Sequence, residues 1–256
     1  MNVVAATGRL TLDATREIGR IANFAARGGT AWFVGPFYWR AFWDALARIG
    51  YASLPVVGLT AIFTGAALAL NIYEGSLFNV EAFLPQILGV SIVRELGPVL
   101  AALMVAGRCS SAMAAEIGTM RVTEQIDALS TLSVDPFKYL IAPRIIATTI
   151  ALPLLVLVAD LIGVYGGYLV AVYALGFEPT LYVTNLVDFL NSEDVTSGLI
   201  KATVFGFLIS VMGCYYGYTS RGGAGGVGSA TRTAVVAAAV SVLASNYLMT
   251  SLLVDI

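Results

Sequence analysis

Four ionisable side chains stand inside otherwise apolar runs of this sequence: Arg94, Glu95, Asp160 and Lys201. An ionised group at the centre of a membrane-spanning helix costs about 2.5–3.5 kcal/mol on insertion scales, so it needs a partner or a wet cavity. Adjacent residues point about 100° apart on a helix, so Arg94 and Glu95 cannot both face one neighbour squarely. Glu95 can neutralise only part of the combined charge of Arg94 and Lys201. The two cations therefore either hold an anionic group or clasp helices together, and Asp160 is interpreted as structural.

The composition requires a membrane environment for this chain. Of its 256 residues, 58% are hydrophobic and 12% are charged, and the mean hydropathy is +0.84, which does not leave enough polar groups for a soluble surface. The net charge of -2 gives no indication of a nucleic-acid partner, and the absence of histidine removes the commonest metal ligand and proton shuttle. We predict an all-α polytopic membrane protein with no metal site and no catalytic set of its own.

Five segments are apolar and long enough to cross a hydrocarbon layer, which takes about 20 residues in a helix. They lie at about 51–73, 86–112, 145–175, 198–218 and 231–254. Residues 50–256 are therefore predicted to form one five-span domain. Small residues within the spans are predicted to form the faces of an obligate dimer: Gly58, Gly65, Gly107, Ser111, Gly213 and Gly217.

Residues 1–49 carry too many charges to span a membrane and are predicted to lie in its interface as an amphipathic segment. A helical face is formed first by Leu10, Ala14, Ile18, Ile21 and Ala25. A break is expected at Gly28-Gly29. Aromatic side chains follow among charged ones, a pattern typical of headgroup depth: Trp32, Phe37, Tyr38, Trp39, Phe42 and Trp43.

Between the second and third spans, the segment of about 114–130 is predicted to be a single amphipathic helix on the cytosolic side. It contains good helix formers and no proline. Its apolar residues fall mostly at helical spacings, while Glu116, Arg121, Thr123, Glu124 and Asp127 cover other faces. A surface helix between two spans suits docking to a motor protein.

Lysine and arginine are concentrated before the first span and around the second connection, whereas segments 74–85 and 176–197 contain neither. This asymmetry predicts a cytoplasmic amino terminus and an outer carboxyl terminus. Segment 176–197 is expected to form a short helix on the outer surface, which either meets an outer partner or caps the bundle.

The glycine-rich run 221–232 lacks the Gly-Lys-Ser/Thr ending of a phosphate-binding loop and is predicted to be a flexible cytosolic turn. No other nucleotide-binding motif occurs in the chain. ATP and magnesium, if they drive transport, are therefore expected on a separate ATPase polypeptide.

A set of motifs runs from the second span onward: Arg94-Glu95-Leu96-Gly97-Pro98, Ala106-Gly107-Arg108, the run 115–129 (AEIGTMRVTEQIDAL), Val134-Asp135-Pro136, Pro143-Arg144, and the glycine-rich run to Thr231-Arg232. Together they resemble the MlaE permease family, the membrane subunit of Mla and related MCE-type phospholipid ABC transporters. The resemblance covers about residues 50–254 and is most specific from 94 to 144.

The resemblance implies a homodimer of five-span subunits in a bacterial inner membrane, holding glycerophospholipid at the dimer interface. It implies three further partners, namely an MlaF-like ATPase, an MlaB-like STAS protein and an MlaD-like MCE ring, and a contribution to outer-membrane lipid asymmetry. Arg94, Glu95 and Lys201 would be the membrane-embedded charges near the lipid path. The surface that couples to the ATPase would comprise Glu116, Gly118, Thr119, Arg121, Thr123, Glu124, Gln125 and Asp127. Where some relatives have an acidic residue in the last span, this chain has Asn246, so a charge pair between Lys201 and that helix is not expected.

Two other classes of function remain open from the residues alone. An ion-coupled secondary transporter would use the embedded charges as an ion relay and would work as a single chain without an ATPase. A non-transporting scaffold would use the connecting helix only for docking and would tolerate neutralisation of Arg94 and Lys201.

Overall fold

The computed structural model describes residues 3–31, 35–75 and 80–254, and in these ranges the chain is helical without any strand. The side chains of Leu10 and Ala14, and Trp32 as a whole, lie outside what the structure describes. The helices are α1 Val3–Ala31, α2 Trp39–Ile49, α3 Leu54–Gly75, α4 Val80–Ser91, α5 Gly97–Val105, α6 Ser111–Val122, α7 Gln125–Thr131, α8 Ala142–Leu169, α9 Pro179–Phe189, α10 Ser192–Tyr218 and α11 Gly223–Val254.

Four five-residue π-helical turns occur within the spans: two join α4 to α5 and α5 to α6 in the second span, and two lie at the start and the end of the third span. The turns are Ile92–Leu96, Ala106–Ser110, Phe137–Ile141 and Val170–Ala174. The predicted number of spans is confirmed, because five continuous helical segments in the described ranges are long and apolar enough to cross: Trp39–Gly75, Glu81–Val122, Phe137–Ala174, Ser192–Tyr218 and Gly223–Leu252. All five are longer than predicted, since charged and glycine-rich ends continue the same helices.

Helix α8 lies at the centre of the bundle, between α3 and α10, while α11 packs on α10 and α6. Glycines set the closest contacts between helices. A Cβ at Gly65 would collide with the backbone of Gly163, and one at Gly166 with the backbone of Ile62. Backbones that approach this closely gain dispersion contacts that lipid cannot replace.

Several of the small residues assigned to a dimer face are used inside the subunit instead, so that prediction is wrong for them. Gly65 contacts α8, and Gly213 and Gly217 in α10 lie against the α6 side at Ser110 and Ala114. Gly107 differs, because nothing within 4 Å would meet a Cβ there.

The predicted break at Gly28-Gly29 does not occur, because α1 continues through both glycines to Ala31. A Cβ at Gly28 would meet Cδ1 of Ile145 at 2.6 Å, so this glycine allows α1 to approach α8. Phe24 of the same face is buried, with its ring centroid 5.2 Å from that of Phe137. The amino-terminal segment is thus docked to the bundle as well as amphipathic.

The connection between the second and third spans is not the single helix predicted for 114–130. Helix α6 is the end of the second span, and the chain turns at Glu124, whose φ of 60° is left-handed, before α7 begins. The β-branched pair Val122 and Thr123 favours a helix end at this point. The Arg121 guanidinium, 2.7 Å from the Asp127 carboxylate, bridges the two helices. We call residues 119–131 the elbow.

The glycine-rich run is also not the turn that was predicted. Only Gly222 and Gly223 have positive φ, and α11 begins at Gly223 and contains the rest of the run. Gly226 lies so close to the carbonyl of Arg221 that a Cβ would collide with it. Val227 of this run packs against α6, since a Cβ on Gly118 would lie 3.3 Å from Cγ1 of Val227.

We expect Gly65→Ala to destabilise the protein. Overpacking costs about 1–3 kcal/mol, which outweighs the gain of about 1 kcal/mol in helix propensity. Gly19→Ala in α1 is the matched control, since nothing within 4 Å would meet its Cβ. Thermal unfolding in detergent, followed by circular dichroism, measures both; equal midpoints for Gly65→Ala and the wild type would contradict the proposed contact.

Candidate functional site

The Lys201 side chain is fully buried in α10, and its ammonium group has three partners. Its Nζ lies 2.5 Å from Oε1 of Glu95, 2.8 Å from Oγ1 of Thr250 and 3.2 Å from the carbonyl oxygen of Arg94. An ammonium group has three N–H donors, so this arrangement satisfies all of them. The lysine is thus held between the second span and α11.

The carbonyl of Arg94 is available because of the proline four residues later. Pro98 has no N–H, and its ring excludes the carbonyl of residue 94 from a regular α-helical bond. The helix widens to a π turn over Ile92–Leu96, closed by the Gly97 N–H on the carbonyl of Ile92. Lys201 then supplies the hydrogen-bond donor that the carbonyl of Arg94 lacks. The sequence Arg-Glu-Leu-Gly-Pro thus provides two of the three acceptors of Lys201, this carbonyl and the Glu95 carboxylate.

The Glu95 carboxylate is the acceptor shared by α10 and α11. Asn246 donates from Nδ2 to Oε2 at 3.1 Å, and Thr250 donates from Oγ1 to Oε1 at 3.0 Å. About a third of the Glu95 side chain is exposed, in contrast to the buried Lys201. In the described residues Lys201 makes no charge pair with the last span, in agreement with the expectation from Asn246, and the neutral Thr250 hydroxyl and Asn246 amide link the cluster to that span instead.

Arg94 points to a different neighbour, as predicted. Its guanidinium lies 3.8 Å from Oδ1 of Asp194, and about a third of its side chain is exposed. Asp194 belongs to the first turn of α10, where it also forms a capping box with Asn191. The further anion that the two cations require is thus supplied in part by the protein, because the Asp194 carboxylate lies beside Arg94.

Asp160 is buried in α8, and its Oδ1 has no hydrogen-bond partner among the described residues. It lies directly behind the π turn, since a Cβ at Gly97 would collide with its carboxyl oxygen. We refer to Arg94, Glu95, Asp194, Lys201, Asn246 and Thr250 as the charged cluster, and Asp160 is not part of it.

The charged cluster lies in the half of the bundle that is remote from the elbow. Lys201 is nine residues from the start of α10 at Ser192 and seventeen from its end at Tyr218. At 1.5 Å per residue these separations are about 14 Å and about 25 Å. The cluster and the elbow are therefore two sites at opposite ends of one helical scaffold.

At the elbow, the structure separates the predicted coupling residues into exposed and internal groups. The exposed ones are Thr119, Thr123, Glu124, Gln125 and Asp127, with Arg121 half-buried beside them. Gly118 is buried, and its carbonyl accepts a bond from Ser220 at 3.4 Å. Glu116 faces elsewhere, with its carboxylate 3.0 Å from Arg144 and 3.8 Å from Arg48. Gly118 is thus internal, whereas Glu116 is exposed but is engaged by Arg144 and Arg48 outside the elbow.

Three members of the charged cluster were not predicted from the sequence. Asn246 and Thr250 are polar residues four apart in an apolar span, a spacing that places them on one helix face and could have indicated a polar partner. Asp194 was assigned to the outer surface segment, and only the fold brings it to Arg94.

Comparison with known proteins agrees with the motifs in this framework. A family model described as Permease MlaE matches residues 42–252. The chain belongs to the MlaE permease family. Its relatives include a probable ABC transporter permease protein of Rickettsia bellii, 49% identical over 98% of each chain. The intermembrane phospholipid transport system permease protein MlaE of Haemophilus influenzae is 33% identical over 99% of this chain and 98% of the relative.

A third relative is the chloroplastic protein TRIGALACTOSYLDIACYLGLYCEROL 1 of Arabidopsis thaliana, 38% identical over 85% of this chain and 62% of the relative. The MlaE-family assignment makes this chain a polytopic membrane permease, the transport subunit of an ABC system rather than an enzyme.

We expect Lys201→Met to cost about 3–5 kcal/mol of stability, because it leaves the Glu95 carboxylate without its cation. The double variant Glu95→Gln/Lys201→Met should recover most of that loss, since the amide oxygen can accept from Thr250 and the amide NH2 can donate to Oδ1 of Asn246, which has no hydrogen-bond partner among the described residues. Chemical unfolding in detergent of the two single variants and the double variant measures the coupling. Additive losses in that cycle would show that the pair is not an energetic unit.

Proposed function

We propose that this MlaE-family permease moves glycerophospholipids between a bacterial inner membrane and an outer partner, and so contributes to outer-membrane lipid asymmetry. The observation that supports this most strongly is Arg94, an arginine at membrane depth that is partly exposed and weakly engaged, 3.8 Å from its counterion. A guanidinium can hold a phosphodiester through two parallel hydrogen bonds. The printed name of the Haemophilus relative, a phospholipid transport permease, agrees with such a ligand.

The proposed orientation places the elbow in the cytoplasm with the amino terminus, and the carboxyl terminus outside. It is supported by the distribution of Lys and Arg, which are absent from segments 74–85 and 176–197. In this orientation the charged cluster lies in the outer half of the membrane. Headgroups leaving toward an outer partner would pass Arg94.

We propose that an MlaF-like ATPase, with ATP and magnesium, docks on the elbow and that an MlaB-like STAS protein accompanies it. The support is a two-helix elbow whose exposed face carries Thr123, Glu124, Gln125 and Asp127, in a chain without a nucleotide-binding motif. An MlaD-like MCE ring is proposed at the other end, where α9 exposes Val183, Val187 and Phe189.

A homodimer is proposed to enclose the lipid beside the charged cluster. Helix α11 is the least buried of the five spans, and one of its faces exposes Val240, Leu243 and Tyr247. The partly exposed Glu95 is bonded to this same helix through Asn246. A second copy facing α11 would close a cavity with apolar walls and a charged end, as a two-tailed amphiphile requires.

Ion-coupled transport and a pure scaffold remain the rivals. The close pairing of Lys201 with Glu95 fits both a structural clasp and an ion relay. The two experiments below distinguish the rivals from the proposal, because a bound ATPase argues against ion-coupled transport and lipid transfer argues against a pure scaffold.

Replacing Glu124 by glycine should weaken ATPase association by about tenfold, because a charge-assisted contact is lost. Glycine accepts the positive φ at this position, so the turn is kept. Glu193→Gln, an exposed acid at the other end, is the matched control. Native mass spectrometry of the co-purified complex reports both the bound ATPase and the copy number of this chain. Wild-type ATPase occupancy in Glu124→Gly would remove the elbow contact from the proposal.

Arg94→Lys should lower lipid transport by about tenfold while changing stability by less than about 1 kcal/mol, because lysine keeps the charge opposite Asp194 but not the forked geometry. Arg221→Lys, exposed near the elbow end, is the control. Transfer of labelled phospholipid from proteoliposomes containing the whole complex is compared with thermal stability of the same samples. If transport follows folded yield in every variant, Arg94 is structural and the lipid role is wrong.

A further inference from the structure

A cavity of about 970 Å³ lies on the elbow side of the protein, between α2, α6 and the start of α8. Its volume is at the upper end of the range of small-molecule sites, about 300–1,000 Å³. Apolar side chains form its floor, among them Ile49, Met113 and Leu140. Aromatic residues Tyr38, Trp39 and Tyr139 line it as well. The charged cluster contributes no residue to this lining.

The cavity has more positive than negative side chains. Arg40, Arg48, Arg108 and Arg144 line it, against two carboxylates, Asp44 and Glu116, which leaves an excess of two positive charges. Glu116 is already shared between Arg144 at 3.0 Å and Arg48 at 3.8 Å. In the described part of the chain, Arg40 makes no ion pair within 4.0 Å. Positive charge is thus left for a ligand to neutralise.

Two of these arginines are held in the wall, and the other two are placed at its opening. Arg108 donates to the Ser53 hydroxyl at 2.7 Å and to the carbonyl of Arg48 at 3.2 Å. Arg144 donates to the carbonyl of Leu140 at 2.6 Å and is largely buried. The Arg48 side chain is 72% exposed. Two arginines held by hydrogen bonds and two with exposed, adaptable side chains give a partly preorganised anion site.

The surroundings show which anion fits. Trp39 and Trp43 are exposed beside the cavity, and tryptophans are enriched at headgroup depth. A soluble anion would have no use for the apolar floor, whereas a lipid places a phosphate next to acyl chains. We propose that this cavity binds the phosphate of an anionic glycerophospholipid from the leaflet on the elbow side. The site is separate from the proposed transport path and does not depend on transport.

The purified full-length protein in nanodiscs of phosphatidylglycerol and phosphatidylcholine tests this without any ATPase, so its failure leaves the transport proposal unaffected. Native mass spectrometry counts the phosphatidylglycerol retained per chain. Arg40→Gln/Arg48→Gln should reduce that retention by about tenfold, since two guanidinium contacts are lost. Arg16→Gln/Arg20→Gln in α1 removes the same charge from exposed arginines and should retain the lipid.

Ala112→Phe, which fills the cavity without changing its charge, should also lose the lipid. Wild-type retention by either cavity variant overturns the proposal, and so does an equal loss in the α1 control. Glycerol 3-phosphate is added to the protein in lipid-free micelles as a further arm. Binding of this soluble phosphate as tightly as the lipid would make the site one for soluble anions and the lipid assignment wrong.

Discussion

The interior of a membrane offers no water to a charged side chain, so the fully buried ammonium of Lys201 must find all its hydrogen-bond partners within the protein. Its three N–H donors are satisfied by the chain, from Glu95, Thr250 and the carbonyl of Arg94. Because those acceptors come from two other spans, burying this lysine requires the second, fourth and fifth spans to meet at one depth. A buried ion pair is a weak source of stability but a strong source of specificity for one arrangement of helices.

Helix packing supplies the rest of the stability, and it depends on glycine rather than on large apolar side chains. Lipid is as apolar as the protein interior, so helices in a membrane associate through close contact and not through exclusion of water. The pair Gly65 and Gly163 joins α3 to α8, while Gly213 and Gly217 bring α10 onto the second span. In α11 only Gly226 is sterically restricted, since a Cβ there would collide with the carbonyl of Arg221.

The sequence allowed the fold class, the number of spans and three members of the charged cluster to be predicted, because apolar length and embedded charge are local signals. The errors have a common physical cause. The run of glycines in α11 and the pair in α1 were interpreted as breaks by the propensities of soluble helices, whereas both runs are helical, and at Gly28 the missing Cβ lets α1 approach Ile145 of α8. Asp194 and Thr250 joined the cluster through contacts between spans far apart in sequence, which no local pattern contains.

The geometry of α6 and α10 offers a mechanical link between the two ends of the protein. The elbow follows directly from α6, and α6 packs closely on the far half of α10, where a Cβ on Gly217 would lie 3.0 Å from the backbone of Ala114. The opposite half of α10 carries Lys201. Backbones in contact without intervening side chains cannot slide independently, because interiors packed to this density do not deform smoothly. A displacement imposed on the elbow would therefore move α6 together with the half of α10 that it contacts, and α10 carries Lys201 in its other half.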